Sequence, residues 1–281
     1  MNSPVQAQPV QDQADGLRRL FAHARVRFLP VVSNPHMAFG GVMLERICTA
    51  LAGLGCHTLV VDAAERAPNP KEWAVLDLAD CVESLSSDVS YLAARGLPLR
   101  FVDTHGSTAS FLQAAADARP QADVVLFHAG ASDLCRLFGQ ADRMRCARPL
   151  VLADEHPASV THAYSCIKLL AQRGNHAVQD LLLCAASGSR RADRIGQQLA
   201  RCADEFLGAV VRECLRIDPA SHATEAPGAG LIDWARDVMQ PVMQPLRPAS
   251  HLIPHAEAAQ QPWANAVARA YHATDAAMAL N

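Results

Sequence analysis

Residues 26–64 read VRFLPVVSNPHMAFGGVMLERICTALAGLGCHTLVVDAA. Val26 to Val32 is a short apolar run of the size of a buried strand. Ser33 to Gly41 follows as a loop. Leu44, Ile47, Leu51 and Leu54 then recur at helical spacing, and Gly55 stands where a helix would end. Thr58 to Val61 is a second apolar run, closed by Asp62. Strand, loop, helix and strand in this order make a βαβ unit with a parallel pair. In such units a ligand sits where the loop leaves the first strand. A phosphate-binding glycine loop would belong there.

This stretch resembles the opening of the MinD/ParA-type P-loop ATPases. Counted back without gaps from Val60-Val61-Asp62, Ser33 to Val42 takes the place of their S-G-K-G-G-V-G-K-T-T. Pro35 then stands at the signature lysine and Gly40 at the phosphate-binding lysine, while His36, Met37 and Phe39 replace glycines. A P-loop works because bare backbone N–H groups approach the phosphates and a lysine neutralises them. Here bulky side chains crowd the loop, a proline removes a donor and no cation is left.

Further along, Asp123 to Phe127 reads as a strand ending in His128-Ala129-Gly130-Ala131. It is similar to the family's D-x-x-x-I-D-T-G-A-G. His128 takes the place of the strand-end aspartate that serves magnesium, and Ala64 that of the second acid in V-D-A-D. Residues 156–168, HPASVTHAYSCIK, resemble the family's E-P-T-S-I-T-D-A-Y-A-L-I-K at Pro157, Ser159, Thr161, Ala163, Tyr164, Ile167 and Lys168. The resemblance covers residues 12–218 and is weak between 64 and 120. It implies an α/β fold: a mainly parallel twisted sheet with helices on both faces. It also implies a degenerate nucleotide site at Ser33, Pro35, His36, Phe39, Gly40, Gly41, Asp62 and His128, with no cofactor bound.

Ahead of this domain, residues 12–20 read DQADGLRRL. Asp12, Gln13, Ala14, Leu17 and Arg18 match the D-Q-A-x-x-L-R motif of the flagellar number regulators of this class, the FlhG/FleN type. In those proteins the motif acts on an SRP-type flagellar GTPase, FlhF, and stimulates its GTP hydrolysis. Such regulators also restrain a flagellar transcription activator. By itself the segment is an amphipathic arm with Ala14, Leu17, Leu20 and Phe21 on one face, too short to hold a helix alone in water.

The expected domains are an arm over 1–24, a MinD-like domain over 25–218 and a Pro/Ala-rich segment with helices over 219–281. Within the second, helices are expected over Trp73–Leu85, Tyr91–Arg95, Thr108–Ala118 and Arg191–Phe206, the last with Phe206 inward. Strands are expected over Leu99–Val102, Pro149–Ala153, Leu181–Ala185 and Cys214–Ile217. Leu231–Met239 reads as a helix on the body. Trp263, Val267, Tyr271, Thr274 and Met278 form a helical stripe whose polar side offers only Arg269, opposed by Asp275. That is a poor membrane-surface helix, so membrane contact is expected to be weak or absent.

The chain has 281 residues and a net charge of −3, which gives no electrostatic grip on nucleic acid. Nine cysteines without a C-x-x-C pair read as buried, reduced thiols of a cytoplasmic protein. No signal peptide and no bilayer-spanning run are expected. The resemblance adds recruitment to the cell pole or flagellar base. It also implies a monomer indifferent to ATP, because Pro35 cannot supply the lysine contact on which nucleotide-bridged dimers are built.

The residues leave a rival reading open. The amides of Gly40 and Gly41 at a helix N-terminus can cradle a phosphate, which would make an active or ATP-binding MinD-like ATPase with an unusual P-loop, using ATP and magnesium. A third reading comes from the histidines, twelve in all. His36, His105, His128 and His156 each follow an expected strand, and converging imidazoles could bind a metal or small ligand.

Overall fold

The computed structural model describes residues 26–75, 77–139, 145–221 and 225–240. The arm carrying Asp12, Gln13, Ala14, Leu17 and Arg18 and the stripe from Trp263 to Met278 lie outside the described residues.

Eight strands form one sheet in the order β3-β4-β2-β5-β1-β6-β7-β8. They are β1 (Arg27–Val32), β2 (Thr58–Asp62), β3 (Glu83–Ser84), β4 (Val89–Ala93), β5 (Val124–Ala129), β6 (Leu150–Asp154), β7 (Val178–Cys184) and β8 (Val210–Ile217). All neighbours pair in parallel except β3 with β4. The helices are α1 (Gly40–Ala52), α2 (Ser110–Ala118), α3 (Ala131–Phe138), α4 (Pro157–Gln172), α5 (Arg190–Leu207) and α6 (Ala229–Met239). The expected fold class is the one observed.

The central strands are apolar on both faces because helices cover both. Every residue of β1 is buried, and so are Thr58–Val61 of β2. One core cluster joins Leu29 and Val31 of β1 to Ile47 and Leu51 of α1 and to Trp234 and Val238 of α6. A polar clamp fixes α6. Trp234 Nε1 donates to Asp180 Oδ2 at 3.0 Å, Arg148 Nε donates to the same oxygen at 3.1 Å, and Arg148 Nη2 reaches Asp237 at 2.5 Å. Arg27 at the start of β1 donates to the Val238 carbonyl at 3.2 and 3.0 Å.

The stretch between β2 and α2 departs from the sequence reading. Instead of a helix over Trp73–Leu85 there are two 3₁₀ turns, Glu72–Val75 and Ala79–Cys81, followed by β3. Asp77 Oδ1 accepts from the Ala79 N–H at 2.8 Å, and the Ser86 hydroxyl accepts from the N–H groups of Asp88 and Val89. Such side-chain bonds compete with helix formation. Tyr91–Arg95 is not a helix, because residues 89–93 pair along β2 as β4. Leu99–Val102 is not a strand. Pro98 opens a 3₁₀ turn there, with Arg100 N bonded to Leu97 O at 2.9 Å. At the end of α5, Phe206 is 63% exposed rather than inward. The short helix α3 had no counterpart in the sequence reading.

Candidate functional site

Strand β1 lies between β5 and β6; the β1–β2 connection runs toward one edge of the sheet and the β5–β6 connection toward the other, so the winding reverses beside β1. The crevice beyond the carboxyl ends of strands at such a reversal is where ligands of open α/β sheets bind. A cleft of about 750 Å³ lies there, lined by Ser33, Pro35, Gly40, Gly41, Asp62 and His128 among others. These six come from the expected nucleotide site. The other two lie off the cleft wall: Phe39 is half exposed, and His36 sits edge-on to His162 with ring centroids 5.6 Å apart.

The loop after β1 is held by its own chemistry. Asn34 to Met37 forms a β-turn in which Met37 N–H donates to Asn34 O at 3.2 Å. Pro35 at the second position presets the turn, and Asn34 Oδ1 accepts from the His36 N–H at 3.1 Å. Ser33 N–H donates to Ala129 O at 2.9 Å. The amides of Ser33, His36 and Met37 are therefore committed inside the protein, and Pro35 has none. Met37 is buried in the core cluster beneath the loop.

Asn34 also ties the turn to the far side of the cleft. Its amide nitrogen lies 3.0 Å from Leu152 O, from Ser159 O and from Ser159 Oγ. Ser159 Oγ in turn accepts from the Asp154 N–H at 3.0 Å. Ser159 is fully buried, and it is one of the residues through which 156–168 resembles the family. Sequence reading missed Asn34, whose partners lie more than a hundred residues away.

At the ends of β2 and β5, Asp62 and His128 are register partners. His128 Nδ1 is 2.9 Å from Asp62 Oδ1, with side chains 12% and 14% exposed. A carboxylate only accepts, so Nδ1 carries the proton. Asp62 Oδ1 also accepts from Ala64 N–H at 3.2 Å, and Oδ2 accepts from the Tyr91 hydroxyl at 3.1 Å. Burial, and then the charge of Asp62, push the Tyr91 phenol above its usual range. Asp62 thus has an internal donor on both oxygens, including an imidazole where the resembled family has an acid.

The chain has two lysines, Lys71 and Lys168, and neither lines the cleft. Lys71 pairs with Glu83 at 3.1 Å. Arg66 and Arg95, which sequence reading missed, do line it. Arg95 donates to Glu65 O at 3.3 Å and to Asn69. His162 lines it too. Burial lowers its pKa, a hydrogen bond with the Ser33 backbone opposes that shift, and His36 adds to it.

The histidine edge does not converge. His128 pairs with Asp62, His36 meets His162, His105 lines a separate pocket and His156 is exposed before α4. Among the described residues no group of three His, Cys, Asp or Glu side chains is placed to hold a metal ion. None of the nine cysteines is in a disulfide, and Cys214 is the exposed one. No described helix is long and apolar enough to cross a membrane.

A parallel sheet of this order, flanked by helices and with its cleft beside β1, is the fold of the MinD/ParA-type P-loop ATPases. No family model and no curated protein sequence matches the chain. Solved structures do match. Cobyrinic acid a,c-diamide synthase from Mycobacterium smegmatis, with bound ADP and magnesium, superposes with a TM-score of 0.52 at 13% identity, over 78% of this chain and 100% of that one. Apo McdA from Cyanthece gives 0.51 at 15% identity, over 76% and 99%. The MinD cell division protein from Aquifex aeolicus gives 0.50 at 14%, over 76% and 96%. At such identities the likeness establishes the fold and leaves the site to be argued from its own residues.

Proposed function

We propose that this chain is a regulatory protein built on the MinD/ParA ATPase fold that does not turn over ATP. In this reading it works as a flagellar number regulator of the FlhG/FleN type, and its N-terminal arm binds an SRP-type GTPase and stimulates it. The observation that carries the reading is that the first half of the loop commits its amides inward. Ser33, His36 and Met37 donate within the protein, and Pro35 has no N–H to give. Phosphate cradles depend on such amides and on a lysine beside them, and no lysine lines this cleft. The pairing of Asp62 with His128 supports the same reading, since magnesium chemistry in NTPases uses free carboxylates. The regulatory half rests on the match of Asp12, Gln13, Ala14, Leu17 and Arg18 to the D-Q-A-x-x-L-R motif.

Two measurements test the two halves. Calorimetry of the full chain with ATP and magnesium is expected to show no binding at sub-millimolar concentration. Micromolar binding with turnover would replace this reading with the ATPase one, which the open cleft before Gly40 and Gly41 favours. GTP hydrolysis by the cognate SRP-type GTPase is expected to rise with the full chain and to stay basal when residues 1–23 are deleted. Unchanged stimulation after the deletion would remove the assigned role of the arm. A transcription activator is a further partner of this class of regulator, and co-purification tests it.

A further inference from the structure

A second pocket, of about 410 Å³, lies against α3 and the end of α4. Its lining includes His105, Ser107, Ser132, Arg136 and Arg173, and no acidic residue among those described. Ser132 and Leu169 also line the cleft beside β1, so the two hollows adjoin. We propose that this pocket is an oxyanion-binding site that takes a phosphate group through Arg136 and Arg173, with Ser107 and Ser132 as hydroxyl donors. It is distinct from the loop after β1, and the proposal stands whether or not that loop holds a nucleotide.

Three separate elements contribute. Arg136 comes from the last turn of α3, Arg173 follows α4, and His105 and Ser107 come from the loop before α2. Arg136 Nη1 pairs with Asp133 at 3.2 Å, which leaves the rest of its donor fork uncommitted to that carboxylate. Both arginines also complement helix C-terminal dipoles. That accounts for each alone, but not for a loop that brings an imidazole and a hydroxyl to the same hollow. Local hydrogen bonds fix that loop. Asp103 Oδ1 accepts from the N–H groups of His105 and Ser107, both at 2.9 Å, and Gly106 takes a left-handed φ of 76° between them. Two guanidinium groups lining one hollow put like charge there, and an oxyanion is the partner their fork geometry fits. The volume suits a small phosphate ester or a phosphorylated side chain presented by a protein.

The test is titration of the full chain with inorganic phosphate, O-phosphoserine and a short phosphoserine peptide, followed by calorimetry in chloride buffer. Saturable binding with a Kd below about 1 mM is expected. Arg136→Gln and Arg173→Gln should each weaken it about tenfold, and together abolish it, while Arg66→Gln in the neighbouring cleft leaves it unchanged. Both pocket arginines are exposed, and unaltered melting curves confirm that the variants fold. The peptide binding tighter than the amino acid marks a protein as the source of the phosphate, and equal binding marks a free ester. No saturation by about 10 mM, or loss on Arg66→Gln with the pocket variants unaffected, overturns the proposal.

Discussion

The carboxylate of Asp62 and the imidazole of His128 face each other at 2.9 Å across two paired strands, at one rung of the sheet. The strand register places them there, and a carboxylate and an imidazole at this distance hold each other in place. Tyr91, one strand further out, completes the shell of Asp62 from the other side. The expected site therefore contains a closed polar network at the position where the resembled family has its strand-end aspartate.

Replacing His128 by aspartate tests that network. His128→Asp sets two carboxylates within contact in a largely buried place, at a cost of roughly 3 kcal/mol in urea unfolding at pH 7. His128→Asn keeps an N–H donor for Asp62 and is expected to cost less than about 1 kcal/mol. Equal losses in the two variants would mean that packing, not charge, governs the position.

Asn34 is expected to be the most sensitive residue of the loop. Asn34→Ala strips the donor from Ser159 and Leu152 and the acceptor from the His36 amide in one step. Buried groups left unpaired cost about 1–3 kcal/mol, so unfolding free energy should fall by roughly 2–4 kcal/mol. A loss below about 1 kcal/mol would show that the loop is held by Met37 and its turn alone.

How much of this was legible in the sequence follows from the range of the interactions. The unit from β1 through α1 to β2 could be read because strand runs and helical spacing are local patterns, and both appear undiluted between Val26 and Asp62. Ser90-Tyr91-Leu92 could not be read as a strand, because the pairing with β2 decides it and only Leu92 and Ser90 are deeply buried. Position 128 stood out as a missing acid, yet its bond to Asp62 follows from a register that joins residues 66 apart. Asn34 looked like one more loop polar residue. Its role appears only when α4 brings Ser159 to it.

Alkaline pH should unfold the protein before it ionises its core. Burial pushes the thiols of Cys48 and Cys166 up to about 12 and that of Cys184 to about 11, from an ordinary 9.0. Tyr91 is raised as well, by burial and by Asp62. Each folded-state pKa lies above its unfolded value, so the stability these groups contribute is fully present below pH 9. It is lost as the pH rises through 11 to 12. Circular dichroism should hold constant to pH 9 and decline above it. Iodoacetamide at pH 8 should leave these three cysteines unlabelled in peptide maps of the native protein, and native labelling of any of them would contradict their burial.

The polar clamp on α6 should be costly to break from either side. Asp180 is fully buried, and Arg148 neutralises it while Trp234 donates to the same oxygen. Arg148→Met leaves a buried carboxylate with a single neutral donor, for an expected loss of about 3–5 kcal/mol. Adding Asp180→Asn in the same chain should recover part of that loss, because the orphaned charge is then gone. A double variant no more stable than Arg148→Met would show that the arginine acts through Asp237 instead.

The last expectation concerns the arm and separates binding from catalysis. In the proposed regulatory reading, Leu17 would supply part of the apolar face that meets the partner GTPase, with Arg18 at its rim. Gln13 has no evident part in that face, and an amide can orient a water, as glutamines do in other GTPases. On that reading a peptide of residues 1–25 should accelerate GTP hydrolysis by the cognate GTPase, since a helix so short would need a partner surface to fold on. Leu17→Ala removes apolar burial worth about 2 kcal/mol and should raise the concentration needed for half-maximal stimulation some thirtyfold, roughly, with the plateau unchanged. Gln13→Ala should lower the plateau with little change in that concentration, because it removes a contact made only in the transition state. If Gln13→Ala shifts the concentration and spares the plateau, the glutamine is a binding residue and the water-orienting role is wrong. If a scrambled peptide of the same composition stimulates equally, the arm's sequence carries no information and the regulatory reading fails with it.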